Sequence, residues 1–584
     1  MKLLIKYLLS IVALFVLIIT LYFLSTPDAD VSALKFFSNI FLFASIIAVL
    51  PFLINNKLNF KNLVSEIVIA LLYSFTNTTL AYMAYHSAGN PYDITSGCFI
   101  FTLLMLTKWL LRRYLPFALA HLIVYCMQIL LISIPLLNIT YFTLYGKPIT
   151  TKGMMAIQQT NIAEATEFLL NLPSLYYLMP LITVLLLLWL THKEHQLEKP
   201  YFFLNNLSLP KISVIIIGMP ILLLSSILLI FLRTNVIGTA FQVSNYFVSI
   251  SDFNKRQDYL LNSLHLAKKN GLKKPHAIIL VIGESATRDY MHAFSPSSDN
   301  TTPWLSKNKD KFFLFPHAYA CAQSTIVSLQ HALTEANYYN RQKLNDSISI
   351  IDIAKKSGYK TYWFSNQSKV GFHDTPVTQI AERCDKAIWH SKANSYDGEL
   401  LQYLQQISPQ ENSFVVLHLM GSHAFYNNRY PTEFQIWSNP NLKGGLDDYK
   451  NSIAYTDRVL EECFNNAKQH LNLVSFVYFS DHGTDPTIFR DPDAKEFVNL
   501  RIPMFIYLSS DYQQANPQIV DAINQNHLKA FSNDLLYNLM CSIINIQSER
   551  FNESESIASH KYLYDVNNVK TDFGEKNVKE DSDY

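Results

Sequence analysis

Between Met1 and about Leu232 the chain is a succession of apolar runs separated by short polar loops, each run near the roughly 20 residues that cross a bilayer as a helix. In hydrocarbon every backbone polar group must be bonded within the protein, so such runs have few folds open to them and the helix is the simplest. Seven candidate spans follow, at about 7–25, 36–54, 63–84, 95–111, 114–136, 174–191 and 212–232. The tight Lys108-to-Tyr114 turn between the fourth and fifth also fits a re-entrant hairpin, which leaves five to seven helices. Soluble domains carry about 25% charged residues; this 584-residue chain has 16%, with 49% hydrophobic. That excludes an ordinary soluble enzyme and a disordered chain. A net charge of +1 offers no basic surface for nucleic acid.

Lys and Arg gather on the cytoplasmic side of short membrane loops. With the N-terminus inside, the inner loops hold Lys2, Lys6, Lys57, Lys61, Lys108, Arg112, Arg113, Lys193, Lys199 and Lys211, against Lys35, Lys147 and Lys152 outside. An odd number of spans then exports everything after Arg233. The first segment lacks a small-x-small cleavage site around Ser25-Thr26-Pro27-Asp28 and reads as an uncleaved anchor. Glu66 is the clearest charge within a span, where a transport path usually holds several.

The expected domains are a membrane domain over 1–235, an exported domain over 236–569 and a tail from 570 to 584. Cys321, Cys384, Cys463 and Cys541 are exported, where disulfides are permitted, with pairing not readable from spacing. Within the membrane domain, Met154–Leu170 has helical apolar spacing that puts Thr160 and Glu164 four apart on one face. This outer loop helix suits an interfacial element with a solvated face or a surface that touches substrate. The tail, KTDFGEKNVKEDSDY, is charged and nearly free of apolar residues, a composition that predicts disorder.

In the exported half, short β-rich runs alternate with helical stretches, the pattern of an α/β domain with a mostly parallel sheet. Four runs end in chemically capable residues. His276–Ile282 leads into Gly283-Glu284-Ser285, and Lys360–Phe364 into Ser365-Asn366-Gln367-Ser368-Lys369. Phe414–Met420 leads into Gly421-Ser422-His423, and Val474–Ser480 into Asp481-His482-Gly483. Ligands of open α/β sheets bind beyond the carboxyl ends of the strands, so these loops converge.

Glu284, Asp481 and His482 make a mixed oxygen and nitrogen set suited to a catalytic zinc with an open position. Taken singly, Asp481-His482-Gly483 also reads as a turn and Glu284 as an acid favoured by a helix dipole. His423 is a candidate acid or phosphate contact. In Cys321-Ala322-Gln323-Ser324-Thr325, two hydroxyls precede an apolar helical pattern, where backbone N–H groups attract phosphate and a metal can favour an alkoxide. A plain helix cap fits the same residues.

The order VIGES, then ST opening a helix, then GSH and SDHG, behind a multi-span region, resembles the bacterial inner-membrane phosphoethanolamine transferases of the sulfatase and alkaline-phosphatase superfamily. The resemblance covers nearly the whole chain. It implies a multi-span helical domain followed by an α/β/α sulfatase-like domain in the periplasm. It further implies Glu284, Asp481 and His482 as zinc ligands and Thr325 as the nucleophile that also touches zinc. His423 would stand near the transferred phosphate or a second metal, Thr160 and Glu164 near the ethanolamine end of the donor lipid, and Lys369 on substrate. The implied reaction moves phosphoethanolamine from phosphatidylethanolamine to lipopolysaccharide, on core heptose or lipid A, through a threonine-bound intermediate.

The chain departs from that pattern in three places. The second cysteine usual in the lipid A branch is His331, the asparagine four residues before Thr160 is Ala156, and no histidine follows His482 until His527. One zinc site is therefore expected and a second is left open. SLQHALTEAN, TYWFSNQ and VYFSDHG are closer to the core-heptose branch. The alternatives are a phosphoglycerol transferase of the lipoteichoic-acid-synthase type, which normally uses manganese, and a non-catalytic envelope lipid-binding protein. A sulfatase is excluded because CAQST lacks the Pro and Arg of the formylglycine motif.

Overall fold

The structure is a computed structural model that describes residues 64–86, 115–160, 162–197, 235–250 and 253–584, with scattered positions between 93 and 111, and without loop stretches at 269–271, 273, 297–298, 370–374, 391–394, 439–443 and 489–495. The described residues fall into two compact units, one within 1–155 and 172–245 and the other within 156–171 and 246–584. The second unit thus starts at Tyr246 rather than 236, and it takes in the loop segment 156–171.

In the first unit, α1 (Val64–Tyr85), α2 (Phe117–Tyr145) and α5 (Leu175–Leu197) fall on three of the expected spans. Among the described residues these three are long and apolar enough to cross a membrane. The spans read at 7–25, 36–54 and 212–232 lie outside the described residues, and 95–111 is described only in scattered positions. α2 runs past the expected end at 136, through Pro135, until Gly146 takes a left-handed conformation and its N–H closes onto the Phe142 carbonyl. Leu178, Met179, Ile182, Leu186 and Trp189 of α5 are exposed, an apolar surface that a helix can present to lipid. Glu66 is not a lone charge: Lys108 Nζ lies 2.9 Å from Glu66 Oε1 and 4.0 Å from Glu194 Oε2, all three side chains buried.

The helix expected over Met154–Leu170 is two helices, α3 (Thr151–Gln159) and α4 (Ile162–Asn171). The break falls at Thr160, whose hydroxyl donates back to the Ala156 carbonyl at 2.7 Å. Such a bond offers the backbone an alternative to continued helix. Thr160 and Glu164 therefore do not share one continuous helical face.

The second unit is built on a seven-stranded sheet. Its strands are β1 (Ala277–Gly283), β2 (Phe313–Leu314), β3 (Lys360–Ser365), β4 (Lys386–Trp389), β5 (Ser413–His418), β6 (Leu473–Ser480) and β7 (Met504–Leu508), in the order β2-β7-β6-β1-β5-β3-β4. β1, β3, β4, β5 and β6 run parallel, and β7 pairs antiparallel with both β6 and β2. Every residue of β1, β5 and β6 is buried, as in a sheet covered on both faces. Helix α7 (Leu446–His470) belongs to the main core with Tyr449, Ile453 and Leu460, together with Ile279, Val415, Phe476 and Phe505 of the sheet. Each fully buried large apolar side chain contributes about 1.5–3 kcal/mol relative to exposure. Four of the expected strands are thus present within a residue or two of their read boundaries.

The tail is a correction. Residues 570–584 are ordered: Lys570–Thr571 pairs antiparallel with Lys576–Asn577, and Val578 is fully buried with Val569, Tyr319 and Leu500. Asp581 accepts bonds from Arg501 Nε (2.8 Å) and the Tyr319 hydroxyl (2.8 Å). Composition alone misleads here because a few buried groups, one charge paired with a largely buried Arg501, fix the segment. Among the described cysteines, Cys126, Cys321, Cys384, Cys463 and Cys541 are free thiols.

Candidate active site

The register of the central strands sets the site. β1 and β6 pair with Gly283 opposite Ser480, so the next residues, Glu284 and Asp481, emerge side by side. On the other flank Ile282 lies opposite His418, which starts the loop to His423 beside them. That loop passes very close: Ser422 N–H donates to the Glu284 carbonyl at 2.9 Å, and Gly421 is left-handed at φ +49°. A Cβ at Gly421 would lie 2.8 Å from both the nitrogen and the oxygen of Glu284, so only glycine fits. Asp397 fixes the same turn by accepting the N–H groups of Met420 and Gly421, each at 2.8 Å. Its carboxyl is held above the usual range, chiefly by burial.

Thr325 is the first residue of α6 (Thr325–Ala332), with Ser324 as a cap whose side chain makes no capping bond. Its Oγ donates to Glu284 Oε2 at 3.0 Å and lies 3.4 Å from His482 Nε2. His482 Nε2 is in turn 3.3 Å from Asp481 Oδ2 and 3.6 Å from Glu284 Oε1. Glu284, Asp481 and His482 are all buried, and their ligand atoms lie within 4.8 Å of one another.

These groups fit a cation. His482 Nδ1 lies 2.7 Å from the Gly483 carbonyl, an acceptor only, so Nδ1 carries a hydrogen and Nε2 is the nitrogen turned toward the two carboxylates. Such a backbone contact is how metal-bound histidines are usually oriented. Asp481 Oδ1 accepts the N–H groups of Ser285 (2.9 Å) and His482 (2.7 Å), while Oδ2 is buried with no hydrogen-bond partner among the described residues. Burial first, and the neighbouring Glu284 carboxylate second, push the Asp481 carboxyl well above its ordinary range. Two buried carboxylates that face one another, one with an oxygen left without a hydrogen bond, are costly to keep ionised unless a positive charge stands among them.

Several residues that hold this arrangement were not singled out in the sequence. Gln367 Nε2 donates to Glu284 Oε2 at 3.1 Å and to the Leu419 carbonyl at 2.9 Å. Ser285 is left-handed at φ +55° and donates its hydroxyl to Glu284 Oε1 at 2.6 Å. Tyr449 of α7 bonds both the Ser285 carbonyl and the Thr287 N–H. Asn533 accepts the Cys321 N–H at 2.8 Å and donates to the Asp481 carbonyl at 3.1 Å. Gln367 sits in the SNQSK stretch and had a signal there. Asn533 had none, being 208 positions from Thr325 with no motif around it.

The other expected residues are placed as follows. His423 is half-buried in the loop after β5; its carbonyl accepts from Arg429 Nε, and it is not in the clustered ligand group. Arg429 also pairs with Glu167 of α4 at 2.7 Å, tying the helix that carries Glu164 to this loop. Thr160 is half-buried at the start of that segment. Lys369 is exposed, 2.6 Å from Glu382 and 4.8 Å above the Trp389 ring.

Residues 276–540 match the Sulfatase family model. The chain is 26% identical over 518 residues to phosphoethanolamine transferase EptC of Escherichia coli K12, covering 77% of this chain and 84% of that protein. It is 24% identical over 544 residues to phosphoethanolamine transferase CptA of Salmonella typhimurium LT2, covering 84% and 91%. The integral membrane lipooligosaccharide phosphoethanolamine transferase A of Neisseria meningitidis matches with a TM-score of 0.56 at 16% identity, over 84% of this chain and 97% of that one. The 84% of this chain so covered is more than the α/β unit alone, and the VIGES, GSH and SDHG loops fall within the residues matched by the family model. The chain is a membrane protein with a sulfatase-family domain and a relative of the bacterial phosphoethanolamine transferases.

Proposed function

We propose that this protein transfers phosphoethanolamine from phosphatidylethanolamine to lipopolysaccharide, on core heptose or lipid A, at the periplasmic face of a bacterial inner membrane. The observation that carries this reading is the Thr325 hydroxyl, 3.0 Å from Glu284 Oε2 and 3.4 Å from His482 Nε2 at the opening of α6. The relatives named above support the transferred group.

Glu284, Asp481 and His482 would hold one zinc, with Thr325 beside it. Bound there, zinc supplies charge stabilisation for phosphoryl oxygens and favours the alkoxide form of a neighbouring hydroxyl. The residues do the rest. Thr325 gives its Oγ proton to Glu284 Oε2 and forms an Oγ–P bond as the bond from phosphorus to the diacylglycerol oxygen breaks. His423 donates the proton that the departing oxygen takes up. An acceptor hydroxyl on lipopolysaccharide then gives its proton to His423 as its oxygen bonds to phosphorus, the Oγ–P bond breaks, and Thr325 Oγ takes back the proton held on Glu284. The first N–H groups of α6 face the anionic phosphate. Glu164 and Thr160 suit the ethanolammonium end of the donor, a cation for a carboxylate and a hydroxyl. Lys369 suits an anionic substrate group once released from Glu382.

The test is the mass of lipid A and core fractions from cells with and without the protein, alongside transfer by the purified full chain from phosphatidylethanolamine or phosphatidylglycerol. A phosphoethanolamine increment on one fraction supports the reading and names the acceptor. Transfer from phosphatidylglycerol alone, or no increment on either fraction, overturns it.

A further inference from the structure

Three consecutive residues near the C-terminus adopt the left-handed conformation: Asp572 (φ +48°), Phe573 (φ +50°) and Gly574 (φ +92°). Asp tolerates this region, but a bulky aromatic there is a genuine outlier that persists only where surrounding contacts impose it. At Gly574 a Cβ would lie 2.1 Å from Tyr338 Cε2, so the turn is closed to any side chain at that point. Short pairing of Lys570–Thr571 with Lys576–Asn577 closes its base.

What this turn grips is the stretch that delivers Thr325. Phe573 N–H donates to the Cys321 carbonyl at 2.6 Å, and the Thr571 hydroxyl donates to the Ala320 carbonyl. Asp572 Oδ2 accepts from Gln323 Nε2 at 3.1 Å. The Phe573 ring lies 4.4 Å from the ring of His331 at the other end of α6. The tail therefore touches 320, 321 and 323 ahead of the nucleophile and 331 behind it. Both ends of the turn are anchored elsewhere: Lys570 N–H donates to the Tyr339 hydroxyl at 2.9 Å, and Asp581 is bound by Arg501 and Tyr319. From the opposite side Asn533 accepts the Cys321 N–H. The left-handed turn at Asp572 and Phe573 aims an N–H at Cys321 and a carboxylate at Gln323, two residues of the same bend.

We propose that residues 570–577 form a strap that positions Thr325, with Asp572 and Phe573 as positioning residues that set where its Oγ stands relative to Glu284 and His482. This rests on the reading of Thr325 as the nucleophile. A hydroxyl displaced by about 1 Å reacts on the order of 100-fold more slowly without any loss of binding. The strap therefore acts on kcat and leaves donor KM alone.

The experiment uses the full chain in detergent micelles with phosphatidylethanolamine as donor, and compares wild type with Asp572→Ala, Asp572→Asn and Phe573→Ala. Asn also tolerates the left-handed region and keeps a side-chain oxygen for Gln323. Asp572→Ala and Phe573→Ala should lower kcat about 10- to 100-fold with donor KM unchanged, and Asp572→Asn should recover most of the loss. Deuterium uptake should rise in peptides spanning 319–330 and stay unchanged in the β6 peptide 473–480. Should Asp572→Ala not fold, Gln323→Ala removes the same contact from the other side. Unchanged uptake over 319–330 overturns the strap, as does uptake rising through the whole unit with Asn no better than Ala. Faster local uptake with full kcat also overturns it. If wild type is inert towards phosphatidylethanolamine, the functional reading fails, while the uptake arm still decides whether the tail holds the bend at Thr325.

Discussion

Glu284 Oε2 accepts a hydrogen bond from Thr325 Oγ at 3.0 Å across 41 positions of sequence, joining the residue after β1 to the first residue of α6. On the reading of Thr325 as the nucleophile, Thr325→Ala removes the hydroxyl that would bond to phosphorus. Transfer should then fall at least about 1000-fold. Thr325→Ser keeps a hydroxyl and should retain measurable turnover. Intact mass after incubation with donor lipid reads the adduct directly: wild type should gain one phosphoethanolamine and Thr325→Ala none. An adduct of the same mass on Thr325→Ala would falsify the assignment.

Gln367 touches Glu284 Oε2 and the Leu419 carbonyl without belonging to the ligand group. Residues that orient a ligand commonly contribute about 10- to 100-fold to metal affinity or activity. Gln367→Ala should therefore bind zinc more weakly by that factor, with Asp481→Ala losing it altogether. Competition titration with a zinc chelator gives both numbers. Equal zinc affinity in wild type and Gln367→Ala would show that Glu284 is held well enough by Ser285 alone.

How much of this was legible beforehand depends on where the information lay. The four strand ends were readable because buried parallel strands are continuous apolar runs and the polar residues after them stand out. Glu284, Asp481 and His482 stand together beyond two of those runs, and Thr325, which none of the runs contains, lies against Glu284. Gln367 stood in a flagged strand-end stretch without a role of its own, whereas Asp397, Tyr449 and Asn533 were not readable, since their roles come from register and from loops that meet only in three dimensions. The break beyond Thr160, whose N–H and hydroxyl both donate to the Ala156 carbonyl, has no Pro or Gly beside it to mark it in the sequence. The tail read as disordered because composition averages over residues, whereas its order depends on Val578, Asp581 and one left-handed turn.

In the membrane unit, the Lys108 ammonium stands between Glu66 and Glu194, with Ser65 donating to both carboxylates. Breaking a buried ion pair by removing one partner costs about 3–5 kcal/mol, because it strands an uncompensated charge. Lys108→Met should accordingly lower the thermal midpoint of the full chain in detergent by several degrees. Adding Glu66→Gln should recover much of the loss. If the double variant melts lower still, Lys108 and Glu66 are not acting as a charge pair.

Asp457 of α7 accepts the N–H groups of Trp304 (2.8 Å) and Leu305 (3.2 Å), yet burial raises its carboxyl to about 7. An unfolded aspartate has a value near 3.9, so between pH 4 and 7 the folded chain holds a proton that the unfolded chain has released. The sign follows: stability from this group is fully present below about pH 4 and is lost as pH rises through about 7. The loss is on the order of 4 kcal/mol at most. Asp457→Asn stays neutral throughout and keeps one oxygen, for one of the two N–H groups. Thermal midpoints measured from pH 4 to 8 should therefore fall more steeply in wild type than in Asp457→Asn, with the two curves diverging above about pH 5. Parallel curves would place the Asp457 proton elsewhere.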